Sequence, residues 1–204
     1  MHSSVRWLLA AVFVAGILPV SADAHFTLLT PASWLIENKL GDPQKAAPCG
    51  GTLADPGTPS NIVTPVTGGS MLTIRMMETI YHPGHYRVAL AVNSRDELPA
   101  DPPTVTRETE KGPRSVSTTI QNPVQPPLLA DGLFPHTTRP TEPWEASIQL
   151  PNITCEKCTL QVVEFMAEHP GVREGGFSYH HCADLKITAD PAKPIDTRWP
   201  AQRP

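Results

Sequence analysis

Beyond residue 20 the chain has no second long apolar run, so nothing after its first segment is expected to span a bilayer. It has no basic stripe. Its 16 Lys and Arg face 20 Asp and Glu, a net charge of −4, which argues against a nucleic-acid partner. Charged residues make up only 18% of it and no stretch has convincing helical periodicity, which argues against a helical protein. No internal repeat is present, and no linker divides it into two domains. Cysteines number four, and none stands at the end of the apolar leader, which argues against a lipoprotein anchor. There is one Cys-x-x-Cys, with no helix pattern beside it and no second copy, which argues against a redox or zinc motif.

What is present begins with an address. Met1 to Arg6 is short and basic, Trp7 to Val20 is apolar, and Ala22-Asp23-Ala24 is the small-x-small pattern that signal peptidase accepts. Residues 1–24 are therefore read as a signal peptide, with His25-Phe26-Thr27 as the mature start. A rival cut after Ala22 fits Val20-Ser21-Ala22. Cleavage after Ala24 removes one arginine and one aspartate and leaves the charge unchanged. The remaining chain is long enough for one domain with a real core, residues 25–190, followed by a Pro-rich tail, 191–204, expected to be flexible. The product is expected to be secreted or periplasmic, soluble and monomeric, with no membrane partner.

The 24 prolines and modest charge suit an extracellular β-protein with long loops. Phe26–Thr30 is a plausible first strand, ending at Pro31. Residues 33–69, rich in Pro, Gly and Asn, read as mostly loop. From Met71 to Thr79 the chain alternates, with Leu72, Ile74 and Met76 on one side and Thr73, Arg75 and Met77 on the other. Tyr81-His82-Pro83-Gly84 interrupts as a turn, and Tyr86–Val92 resumes as a strand. Residues 93–144 carry ten prolines and little periodicity, and read as a long functional surface loop or a partly disordered one. Ala146–Leu150, Thr159–Met166 and Ala183–Thr188 complete the strand candidates. The fold class expected is all-β, an immunoglobulin or fibronectin-III-like antiparallel β-sandwich with long loops.

Four cysteines allow three pairings. Cys155 and Cys158 are close enough for a local bridge within Cys-Glu-Lys-Cys. That leaves Cys49 with Cys182, a long-range staple joining an N-terminal loop to the last strand.

The cleaved chain holds seven histidines: His25, His82, His85, His136, His169, His180 and His181. A histidine at a free N-terminus offers its α-amine and its ring Nδ1 to one metal, and a second histidine completes a T-shaped set of three nitrogens. Such donors in a tetragonal arrangement favour Cu(II), which stands highest in the divalent affinity order. The reference pKa of an α-amine, about 8, lets copper displace its proton at neutral pH. His25 is the expected terminus, and His82 sits in a turn where a rigid sandwich can aim it. His85 is its rival. On a strand it shares a face with Arg87, opposite Tyr86 and Val88, which leaves it facing solvent.

Three segments carry a resemblance to the lytic polysaccharide monooxygenases, copper enzymes built on a histidine brace. His25-Phe26-Thr27-Leu28 follows the leader directly. His82-Pro83-Gly84-His85-Tyr86-Arg87-Val88 is similar to the turn that holds the second brace histidine. Tyr179-His180-His181-Cys182-Ala183-Asp184-Leu185-Lys186-Ile187 resembles the Tyr-x-x-Cys-x-x-Leu-x-Val ending of the fungal cellulose-active families. The islands span the mature chain in order, but only they match. The resemblance implies copper held by His25 and His82, Tyr179 axial to it, and a Cys49–Cys182 bond. It implies catalytic roles for His169, Tyr179 and His181, with Glu164 and His169 matching an outer-sphere pair. It implies polysaccharide as substrate (chitin, cellulose or another glycan) and an external electron donor. Phe177 stands where the fungal pattern has a Gln, and Cys155-Glu156-Lys157-Cys158-Thr159-Leu160 resembles other brace proteins, so the likeness is to a divergent, bacterial-type branch. The alternative is a non-catalytic copper carrier with the same brace. Trp34, Tyr81 and Trp144 are candidates for a flat carbohydrate platform or else for packing. One of His180 and His181 is expected at the surface, because neighbouring strand residues point oppositely. His136, in the Pro-rich stretch, has no role assigned to it.

Overall fold

The computed structural model describes residues 24–52, 54–117, 119–168 and 178–203. Among these residues there are ten strands: β1 His25–Thr30, β2 Val63–Thr67, β3 Met71–Ile80, β4 Gly84–Ala91, β5 Thr104–Thr109, β6 Gly112–Ser117, β7 Leu128–His136, β8 Trp144–Gln149, β9 Cys155–Met166 and β10 Ser178–Thr188. They form a three-stranded sheet, β1-β3-β8, a five-stranded sheet, β2-β10-β9-β4-β7, and a separate hairpin, β5-β6. The first two pack face to face, so the fold is the all-β sandwich expected.

The core follows from period-two alternation. Leu72, Ile74 and Met76 point inward from β3, and Tyr86, Val88 and Leu90 face them from β4. Phe26 and Leu28 join from β1, and Leu160 and Val162 from β9. Glu78 continues the inward row of β3 at 1% exposure, a charged side chain at a core position.

The five-stranded sheet is covered on its outer face too. All eight residues of β4 are buried, including His85 and Arg87, which share the outward face as expected but do not reach solvent. Loop 31–62 lies over this face. Trp34 N–H donates to the Cys182 carbonyl, and the Gln161 amide donates to the Pro48 carbonyl. The 93–103 segment covers the rest, through Arg87 donating to the Ala100 carbonyl and a His180–Asp101 contact of 2.7 Å.

Several segments differ from the sequence reading. Residues 93–144 are not one loop. They contain a 3-10 turn at Arg95–Glu97, the β5-β6 hairpin, and β7, which completes the five-stranded sheet. β7 hides from pattern analysis because its pairing with β4 shifts register three times, so no alternation survives. β2 carries Pro65 at its middle, tolerated because it lies at a sheet edge. The C-terminal tail, expected to be flexible, is held along part of its course. Asn152 donates to the carbonyls of Asp190, Lys193 and Pro194, and Trp199 packs into the core.

Both disulfides form as read, Cys49–Cys182 and Cys155–Cys158. They fit an oxidising compartment. No helix among the described residues is long and apolar enough to cross a membrane. Cys49–Cys182 spans 133 residues and pins loop 31–62 onto β10. Replacing both by serine is expected to lower stability by about 4 kcal/mol, through release of loop-closure entropy. The check is a lower denaturant midpoint; a loss below about 1 kcal/mol would show that the loop is held without the bond.

Candidate metal centre

Of the sequence-predicted ligands, His25, His82 and Tyr179 lie at the end of the sandwich where β1 begins. His25 pairs with Ile80, the last residue of β3, and its carbonyl accepts from the Thr79 hydroxyl at 3.0 Å. The ring is buried. Nε2 lies 3.2 Å from Asp42 Oδ1, and the ring centre is 5.2 Å from that of Tyr179. Nδ1 is buried and has no hydrogen-bond partner. A proton on Nε2, facing Asp42, leaves the lone pair on Nδ1, the ring nitrogen a brace requires.

The loop that supplies Asp42 is fitted closely to β1. Gly41 adopts φ +95°, and a Cβ there would stand 1.9 Å from the Phe26 carbonyl oxygen, so only glycine permits the approach. Gln44 is fully buried. Its side-chain oxygen accepts from Phe26 N–H at 3.1 Å, and its main-chain carbonyl accepts from His180 N–H at 2.7 Å. One residue thereby ties β1 of one sheet to β10 of the other.

His82 occupies the turn between β3 and β4, two residues beyond the partner of His25. Its Nδ1 lies 2.9 Å from the Pro83 carbonyl, so Nδ1 carries the proton and Nε2 the lone pair. The same Pro83 carbonyl accepts from Ala167 N–H. Gly84 is required by space rather than by torsion. A Cβ there would meet the Phe165 carbonyl oxygen at 2.1 Å. His85 lies on the outer face, against the Phe165 ring at 5.1 Å, turned away from the sheet that carries His25. Burial lowers its pKa, and nearby Asp131 opposes this only in part.

Tyr179 starts the inward row of β10, paired with Glu164 on β9, which in turn pairs with Tyr86 on β4. Glu164 has no exposure and neither carboxyl oxygen has a hydrogen-bond partner. Burial first, and nearby Glu78 second, push its pKa well above the ordinary value, so it holds its proton.

The sequence reading missed three residues here. Asp42 sits in a stretch read only as loop. Glu78 was discoverable, as a carboxylate in an inward row. Its Oε1 accepts from the Tyr86 hydroxyl (3.2 Å) and the Trp144 indole (3.0 Å), and lies 2.9 Å from His136 Nε2. His136 had no role assigned. Its Nδ1 faces the Phe134 carbonyl at 2.7 Å, and its Nε2 faces the His82 carbonyl at 2.9 Å. With acceptors on both sides, both nitrogens carry protons. Burial alone would lower its pKa, but the bonds to Glu78 and the two carbonyls outweigh that and raise it.

His181 and His180 are both buried, so the surface expectation for one of them is corrected. They do point oppositely. His180 faces outward but is covered through Asp101. His181 faces the core, edge-on to Phe26 at 4.6 Å, with Nε2 donating to the Phe26 carbonyl. Its other nitrogen lies 3.2 Å from Glu37 Oε1. His169 and Phe177 lie outside the described residues. Trp34 and Trp144 are not brought together. The Trp34 ring is covered by the Arg95 guanidinium at 3.6 Å, whereas Trp144 stacks on Phe134 in the other sheet. Tyr81 lies near His136, at 6.1 Å between ring centres. Among the described residues no three His, Cys, Asp or Glu side chains converge to hold a metal. A brace needs only two side chains, because its third donor is an amine.

Burial pushes the Glu37 pKa up to about 7, against bonds from Ser33 and Leu28 N–H, and holds His181 down to about 4. Between about pH 4 and 7 the Glu37–His181 contact is thus a hydrogen bond between neutral groups, not an ion pair. A raised acid pKa stabilises the fold fully below about pH 4.5, and this contribution is lost as pH rises to about 7. Glutamine cannot ionise, yet its amide donates to His181 as the protonated acid does. His181 acts oppositely, between about pH 4 and 6.5, in both proteins and cancels. Wild type is expected to lose up to about 3 kcal/mol relative to Glu37→Gln between pH 4.5 and 7, and nothing further above it. Urea midpoints of the two proteins check this, and parallel curves would sink it.

No protein-family model matches this chain, and no curated protein matches it, so its chemistry has to be read from its own residues.

Proposed function

We propose that this chain is a histidine-brace copper protein, exported by a cleaved signal peptide, that takes part in oxidative cleavage of a polysaccharide. The observation that carries this is the buried, unpartnered Nδ1 of His25, its tautomer set by Asp42, at the residue following Ala22-Asp23-Ala24. A buried nitrogen lone pair without a partner costs stability unless something binds there.

The donor set fits copper. Cleavage after Ala24 frees the His25 amine beside Nδ1, and His82 offers Nε2 from the adjacent turn. Bound copper supplies one-electron redox chemistry that activates dioxygen or peroxide against a glycosidic C–H bond, with electrons from an external donor. The chain's own groups do the rest. Asp42 orients the His25 ring, and Tyr179 walls the site at van der Waals range. Glu164, neutral and sealed from water, holds a proton in the same cross-strand row as Tyr179. The substrate under this reading is a polysaccharide, whether chitin, cellulose or another glycan.

A second reading, a copper carrier without turnover, is favoured by one observation. One face of Trp34 is taken by the Arg95 guanidinium and one face of Trp144 by Phe134, so the two do not form a shared flat platform. Oxidised oligosaccharides produced with copper, reductant and a glycan select the enzyme, and tight Cu(II) binding without products selects the carrier.

The test begins with mass spectrometry of the exported protein, which is expected to start at His25. Cu(II) at a hundredfold excess over Kd is then expected to stabilise it by about 2.7 kcal/mol. His82→Ala is expected to abolish that gain. A terminus at Asp23, or a melting temperature unmoved by copper, would defeat the proposal.

A further inference from the structure

The turn that carries His82 has an anchor of its own. His82 Nδ1 donates to its neighbour Pro83, a local bond, and the Pro83 carbonyl accepts in turn from Ala167 N–H just beyond β9. A tie from the opposite side comes from His136, on β7, the strand at the far edge of the five-stranded sheet. His136 Nε2 lies 2.9 Å from the His82 carbonyl and 2.9 Å from Glu78 Oε1, and its Nδ1 bonds the Phe134 carbonyl of its own strand at 2.7 Å. The ring therefore bridges β7 to the turn. It is boxed by Tyr86, Trp144 and Tyr81, with ring centres at 6.3, 5.4 and 6.1 Å, so it has no room to swing. Glu78 is held in turn by the Tyr86 hydroxyl and the Trp144 indole.

We propose that Glu78 and His136 are a positioning pair for His82: they aim the second copper ligand through its backbone, without touching the metal. This rests on reading His82 as a ligand. The chemical reason is that copper affinity depends on holding three nitrogens in one plane. One of those nitrogens sits on a turn, the least rigid element of the three. Partners that orient a ligand typically control affinity by about 10–100-fold when removed.

Two substitutions separate this from a packing role. In His136→Gln the amide nitrogen falls where Nε2 was and still reaches the His82 carbonyl and Glu78. In His136→Asn it falls where Nδ1 was, serves the Phe134 carbonyl, and releases the turn. Both remove the ring and both forfeit its packing. Cu(II) titration by calorimetry, with electron paramagnetic resonance of the loaded proteins, is carried out on mature protein below the melting temperature of each variant. His136→Asn is expected to bind copper about 10–100-fold more weakly than wild type, with an altered spectrum, and His136→Gln to stay within a few-fold of wild type. Equal losses in both, or none in His136→Asn, overturn the pair while leaving the copper site standing. If wild type itself binds no copper, the site and the pair fall together. Should His136→Asn not fold, Glu78→Gln carries the test. Its amide oxygen still accepts from Trp144, but the ring loses its charged anchor, and copper affinity unchanged from wild type overturns the proposal.

Discussion

The contact between Asp42 and His25 is the constraint on which the candidate centre depends. An imidazole has two nitrogens and, when neutral, one proton. A carboxylate 3.2 Å from Nε2 claims that proton, so the lone pair is left on Nδ1, inside the protein and unpartnered. Without Asp42 the ring could turn its N–H inward, and the one nitrogen that can share a metal with the α-amine would be blocked. The Asp42 loop is held from both sides. Gln44 bonds β1 through its side chain and β10 through its backbone, and Cys49 is bonded to Cys182 on β10.

An unpartnered buried atom is not by itself a mark of function. His85 Nε2, Arg87 Nε and His180 Nδ1 are also unpartnered, beneath the loops that cover the outer face. What separates His25 from these is the combination: a tautomer set by a carboxylate, a position at the proposed chain start, and a second histidine with a fixed tautomer one turn away. Polar groups also accumulate behind this end of the core. Glu78, Glu164, Tyr86 and His136 lie where the rest of the sandwich has Leu, Ile and Val. Such a cluster costs stability relative to apolar packing, and local violations of this sort are expected where a fold carries chemistry.

The central strands were legible because one face of each is plainly apolar. Leu72, Ile74 and Met76 against Tyr86, Val88 and Leu90 gave β3, β4 and the turn between them, and with the turn came His82. The outer face of β4 was misread because alternation says which residues share a side, not what covers it; His85 and Arg87 are roofed by segments far off in sequence. β7 was invisible because bulges erase period two, and with it went His136. Glu78 stood in plain view as a carboxylate in an inward row. Asp42 had no local signal, since its meaning arises only when Gly41 lets the loop close on Phe26.

These features make the two histidines depend on different parts of the fold. His25 is set by the first loop, through Asp42, Gln44 and the Cys49–Cys182 bond. His82 is set by β7, through His136 and Glu78. The loop is pinned to β10 and leads into β2 at one edge of the five-stranded sheet, β7 forms the other edge, and β9 and β4 lie between β10 and β7. Loosening either edge displaces one histidine relative to the other while the core residues between keep their packing. On the proposed reading, metal affinity would therefore be more sensitive than overall stability to changes at the edges, and less sensitive to changes such as Ile74→Val at the centre. The proposed brace, assembled this way, would report how well the two edges are held, which ties the long loops that looked featureless in the sequence to the placement of the two histidines at one end of the sandwich.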